Sequence, residues 1–109
     1  MQVFPRRRYR AELAVVGAIL WSSTAASEPD RARLADLVVQ DCGSCHGLTL
    51  KGGLGRPLTP EALSSLSAEN IRDIILDGLP GTPMPPWRPL LSVAEAETIA
   101  AMLKSGKIP

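Results

Sequence analysis

Both cysteines and the single histidine of this 109-residue chain fall within five consecutive positions, Cys42-Gly43-Ser44-Cys45-His46. Two thiols three positions apart at a helix end can reach the two vinyl groups on one edge of a porphyrin. The adjacent imidazole then lies beneath the iron. Gly43 and Ser44 are small, so the macrocycle edge can press against the backbone. The spacing therefore reads as attachment of one covalent haem c through Cys42 and Cys45, with His46 as the proximal iron ligand. Three other chemistries use such residues. A disulfide between Cys42 and Cys45 is open to a chain outside the cytoplasm. A dithiol redox motif needs a βαβ background, and no stretch here alternates like a strand. Zinc needs four ligands, and two Cys and one His are all the chain has.

The N-terminus carries Arg6, Arg7, Arg8 and Arg10 with no acid among its first ten residues. Leu13 to Trp21 is an apolar run, and Ser22 to Ser27 is small and polar. This order predicts a secretory signal over residues 1–27, cleaved near Ala26 or Ser27. The apolar run is too short for a spanning helix, which makes an uncleaved anchor the lesser alternative. Arg6-Arg7 suggests twin-arginine export, but haem attachment needs an unfolded acceptor and favours the ordinary route. The mature domain is then residues 28–109. It has eight basic side chains against ten acidic ones, so its net charge is −2. That balance excludes a nucleic-acid binder and offers no basic stripe for anionic lipid. The expected location is the periplasm, with no stable membrane insertion after cleavage.

Of four aromatics, Phe4, Tyr9 and Trp21 lie in the leader, and only Trp87 stays in the mature domain. A short chain so poor in large side chains needs a cofactor to complete its interior. The pattern predicts helices and no strands. Asp30 to Asp41 repeats apolar residues at Leu34, Leu37 and Val38, with Asp30 as N-cap. Cys42 to Pro57, with five glycines, reads as loop. Thr59-Pro60-Glu61 predicts a short helix to about Leu66. Ser67 starts another, with Ile71, Ile74 and Ile75 on its apolar face, and Gly78 ends it. Leu79 to Leu91 has five prolines and cannot be helix or central strand. Ser92-Val93-Ala94-Glu95 is a capping box. The helix that follows carries Ile99, Met102 and Leu103 on one face and stops at Gly106. The expected fold is all-α.

A six-coordinate iron needs a second axial ligand, and the mature chain offers Met84 and Met102. Prolines flank Met84 and hold its backbone at low entropic cost. Met102 sits on the apolar stripe of the last helix and reads as packing. Met84 is therefore the expected distal ligand. The bland alternative is a loop methionine packed beneath Trp87. His/Met ligation raises the reduction potential and closes the iron to small ligands.

With these parts in order, residues 30 to 106 resemble a class I cytochrome c: a single haem within three to four helices and long loops. The resemblance maps the family's parts onto Asp30–Asp41, Cys42–His46, Pro57, Asn70–Gly78, Met84 and Ala94–Lys104. It implies that the Pro57 carbonyl accepts the His46 N–H, fixing the tautomer and raising its basicity. The family often has Gly and an aromatic where the first helix crosses the last. Leu34 and Val38 stand there instead, against Met102 and Leu103, which predicts a wider crossing.

Asp41 to Thr49, Lys51-Gly52-Gly53-Leu54-Gly55 and Gly81 to Trp87 further resemble the small exported cytochromes c of nitrite reductase gene clusters. The implied role is a monomeric electron carrier, not an enzyme. Its partners would be the periplasmic haem c/haem d nitrite reductase of denitrification and an upstream donor. Two alternatives are a factor in maturation of that enzyme's special haem, and a haem enzyme or sensor with an open distal site. Lys51, Arg56 and Arg88 are expected beside the haem crevice. Arg56 or Trp87 is a candidate to hydrogen-bond a haem propionate, with solvated surface and packing as their plain readings. Transient, charge-guided encounters are expected with the partners.

Overall fold

Asp30 starts the first helix by accepting the Arg33 N–H on its carboxylate at 3.1 Å. The computed structural model describes residues 25–108, with Ile19, Ser22 and Ser23. Most of the leader expected over residues 1–27 thus lies outside the described residues. Helix α1 spans Arg31–Leu37. A π-helical turn, Val38–Cys42, follows without a break and runs into α2, Gly43–His46. The Cys-Gly-Ser-Cys-His stretch is thus the end of a continuous helix and not the start of a loop. The Gly43 N–H closes the wide turn onto the Val38 carbonyl. One extra residue in the turn rotates everything after it about the axis, a device common at functional sites. Glycine at 43 suits the buried position, because a Cβ there would lie 3.3 Å from the Leu48 backbone.

The short helix expected after Thr59 is a series of turns. The Leu63 N–H reaches the Thr59 carbonyl at 3.0 Å, but Ser64 and Leu66 bond three residues back. The Ala62 carbonyl, which a helix would offer to the Leu66 N–H, accepts instead from the Arg56 side chain at 2.8 Å. A segment this short cannot offset such competition.

Helix α3, Ala68–Asp77, and helix α4, Val93–Ser105, begin where the pattern placed them. Ser67 caps α3 through the Asn70 N–H at 3.1 Å. Ser92 and Glu95 form the expected capping box, at 3.1 and 2.9 Å. Helix α4 ends at Gly106 in a left-handed conformation. No strand occurs among the described residues.

The core lies where α4 packs against α1 and α3. Leu34, Val38, Ile99 and Met102 have no exposed surface, and Leu103 is nearly as buried. Ala35, Ala96 and Ala100 fill the same cluster. Ile71, Ile75 and Leu76 come from α3, whereas Ile74 is only half-buried. Trp87 is half-buried against this cluster. Two ion pairs join helices at the surface: Arg33 with Glu95, and Arg72 with Glu97. Leu50 has φ 59°, a left-handed leucine. Its buried side chain and a bond from the Leu58 N–H to its carbonyl hold that conformation.

Ser92→Ala removes the α4 cap and should cost about 1 kcal/mol. In a domain of this size that lowers Tm by about 4–8 °C. Thermal unfolding followed by circular dichroism checks it, and an unchanged Tm contradicts the capping account.

Candidate functional site

Helix α2 ends at His46, and the chain then doubles back along it. The Gly52 N–H donates to the His46 carbonyl at 2.8 Å, and the Gly55 N–H donates to the Cys45 carbonyl at 2.8 Å. These bonds satisfy carbonyls that a helix end leaves free. They also bring the loop beside the imidazole. A Cβ on Gly55 would lie 2.8 Å from both Nδ1 and Cε1 of His46, so only glycine fits against the ring. His46 Nδ1 lies 2.6 Å from the Arg56 carbonyl. A carbonyl only accepts, so Nδ1 carries the proton and Nε2 keeps its lone pair for a metal.

The carbonyl facing His46 thus belongs to Arg56 and not to Pro57. The Gly52 and Gly55 bonds set the register of the loop, and that register brings the residue before the proline against the ring. Pro57 instead places its ring beside Gly52. The Arg56 side chain is exposed and donates to the Ala62 carbonyl. Trp87 packs on the core, and Lys51 is exposed. Met102 is a core residue.

Cys42 is half-buried, Cys45 is exposed, and both thiols are free. Burial, helped by the neighbouring Asp41 carboxylate, pushes the Cys42 thiol up to about 11. The Ser44 hydroxyl donates to the Asp41 carbonyl at 2.6 Å and lies 3.9 Å from the Cys45 sulfur.

Met84 is half-buried in the loop after α3. Its carbonyl lies against Gly78, where a Cβ would be 2.7 Å away; Gly78 also has φ 71°. The Leu79 N–H approaches the same carbonyl at 3.4 Å. The Thr82 hydroxyl accepts from the Met84 N–H at 3.3 Å. An open cleft of about 510 Å³ runs along α3 beside this loop, lined by Leu66, Asn70, Asp73, Ile74, Asp77 and Gly78. The half-buried Ile74 faces it. Sequence reasoning singled out Cys42, Cys45, His46 and Met84 but missed Gly55, the Arg56 carbonyl and the Met84 seat on Gly78. Only the run of glycines hinted at these contacts.

Two free thiols one helical turn apart, a lone pair fixed on Nε2 and a ring clasped by a loop suit a covalently held haem. Together with the all-α fold they define a class I cytochrome c. The chain belongs to the cytochrome family described as Cytochrome C oxidase, cbb3-type, subunit III, which matches residues 29–103. It is 52% identical over 96 residues to cytochrome c55X of Paracoccus denitrificans, covering 85% of this chain and 93% of that one. The solved c-type cytochrome NirC has a TM-score of 0.71 at 51% identity, over 73% of this chain and 98% of its own. Dihydro-heme d1 dehydrogenase NirN, solved in complex with DHE, matches with a TM-score of 0.62 at 36% identity. That match covers 69% of this chain but only 16% of the dehydrogenase. Haem c is thus the cofactor, and the protein is a mono-haem c-type cytochrome of electron transport.

Gly55→Ala should displace the His46 ring and lower the haem bound per protein, read from the absorbance ratio of purified samples. Arg56→Ala keeps the carbonyl and should leave the haem spectrum unchanged. A spectrum altered by Arg56→Ala but not by Gly55→Ala contradicts the backbone clasp.

Proposed function

We propose that this protein is a periplasmic one-electron carrier. Residues 1–27 direct its export, and it delivers electrons to the haem c/haem d nitrite reductase of denitrification. Cys42 and Cys45 hold the haem as thioethers, His46 is its proximal ligand and Met84 its distal ligand. The observation that carries this reading is the anchoring of Met84. Its backbone rests on the last turn of α3, in a loop stiffened by four prolines between positions 80 and 86. A preformed thioether at the sixth position favours electron transfer over ligand binding.

The haem supplies reversible one-electron chemistry at its iron. The chain's own residues do the rest. The Arg56 carbonyl holds His46 in one orientation, so ligation costs little reorganisation. The Met84 loop keeps small ligands and water away. The loop clasped to Cys45 and His46 carries Leu54, 96% exposed, beside exposed Lys51 and Leu48. An apolar tip in a loop that carries two exposed cations suits a small, short-lived contact with a partner that is acidic at its rim. Arg88 is paired with Asp77, whereas exposed Arg56 donates only to the neutral Ala62 carbonyl and keeps its charge, so Lys51 and Arg56 are the cations of this loop.

Likeness to part of a dihydro-haem d1 dehydrogenase supports a second role, in maturation of the special haem of nitrite reductase. Deleting the gene, then assaying special-haem content and nitrite reduction separately, distinguishes the two. Lost reduction with full haem content favours the carrier.

Met84→Ala should abolish the weak thioether–iron band of the oxidised protein and lower its potential. Loss of neither transfers the role to another residue. Raising ionic strength should slow electron delivery to nitrite reductase; a rate indifferent to salt rules out charge steering.

A further inference from the structure

Asp77 and Arg88 lie at the two ends of the Met84 loop. Arg88 Nε donates to Asp77 Oδ1 at 2.8 Å and Nη2 donates to Oδ2 at 2.9 Å, a two-pronged pair. The backbone beside it is also joined: the Trp87 N–H bonds to the Ile75 carbonyl at 3.0 Å and the Arg88 N–H to the Leu76 carbonyl at 3.1 Å. These are carbonyls that the end of α3 leaves free. The returning chain therefore caps the helix from which the loop departs.

The loop between these points has little room to give. Pro80, Pro83, Pro85 and Pro86 restrict its backbone. The Thr82 N–H and hydroxyl both bond to the Leu79 carbonyl, at 3.1 and 2.7 Å. A stiff loop opens where its two ends meet, and the Asp77–Arg88 pair joins those ends. Neighbouring Arg72 is committed to Asp73 and Glu97.

We propose that Asp77 and Arg88 act as a latch on the Met84 loop, setting how readily the sixth coordination position opens to an outside ligand. This rests on Met84 being the distal ligand. Both residues are positioning residues, since neither touches the iron. Their side chains are more than half exposed, 58% and 53%, so the latch is weak and acts on local opening rather than on global stability.

The test is imidazole binding to the oxidised holoprotein at fixed pH, followed by loss of the thioether band, with Tm measured alongside. Asp77→Asn and Arg88→Gln should each tighten apparent imidazole binding by about two- to fivefold. The double variant should match either single one, since one interaction is lost in all three. Arg88→Lys keeps the charge but not the two-pronged geometry and should fall between. Faster hydrogen exchange of the Trp87 amide should accompany the change. A wild type with the band whose imidazole affinity is unmoved by these variants, even with a lower Tm, overturns the latch alone. Additive effects in the double variant overturn it as well. A wild type without the band overturns the Met84 assignment and the latch with it.

Discussion

An imidazole can offer a lone pair from only one nitrogen while the other holds its proton, and the Arg56 carbonyl decides which nitrogen of His46 that is. At 2.6 Å from Nδ1 it keeps the proton there and leaves Nε2 free. The carbonyl is in place because the loop is hooked to the end of α2 through Gly52 and Gly55. The loop in turn lies close because Gly55 has no side chain to strike the ring. Helix end, loop register and imidazole orientation are therefore one cooperative unit. Disturbing any of them costs the others, a general property of networks that support metal ligands.

The opposite side of the site follows the same economy. Helix α3 ends with carbonyls that must find donors, and the chain returning from Met84 supplies them. The bonds that cap the helix also close the loop whose Met84 carbonyl rests against Gly78. The buried faces of α1, α3 and α4 make the frame that holds the two sides in register. Charged residues contribute at the rim, where Arg33, Arg72 and Arg88 each pair with an acid on another helix or loop end. Such exposed pairs add little to global stability.

Helix starts were legible because caps are local: Asp30, Ser67 and Ser92 each bond within three residues. Helix ends and loop conformations were less so. The helix runs through Cys42–His46 because the π-helical turn joins it to α1, and no residue pattern announces such a turn. The segment after Thr59 looked helical by its first three residues. Its later N–H groups bond three residues back, and the Arg56 side chain occupies the Ala62 carbonyl that a further helical bond would use. Pro57 drew attention as the carbonyl that accepts the His46 N–H, yet a shift of one residue in loop register gives the task to Arg56. A backbone oxygen carries no residue-type signature, so spacing along the chain could not single it out.

The order of residues was enough to define the chemistry of the cofactor, because two thiols and an imidazole at that spacing match one porphyrin edge and its iron. It was enough also for the helical class and for the cap positions, which depend on neighbours three and four residues apart. Which nitrogen of His46 is free, where the Met84 backbone rests, and how Asp77 meets Arg88 were decided by packing. Those contacts join segments about ten residues apart, Arg56 with His46 and Arg88 with Asp77, or six in the case of Met84 with Gly78. Their distances come from how loops fold back on helix ends, which local preference does not encode.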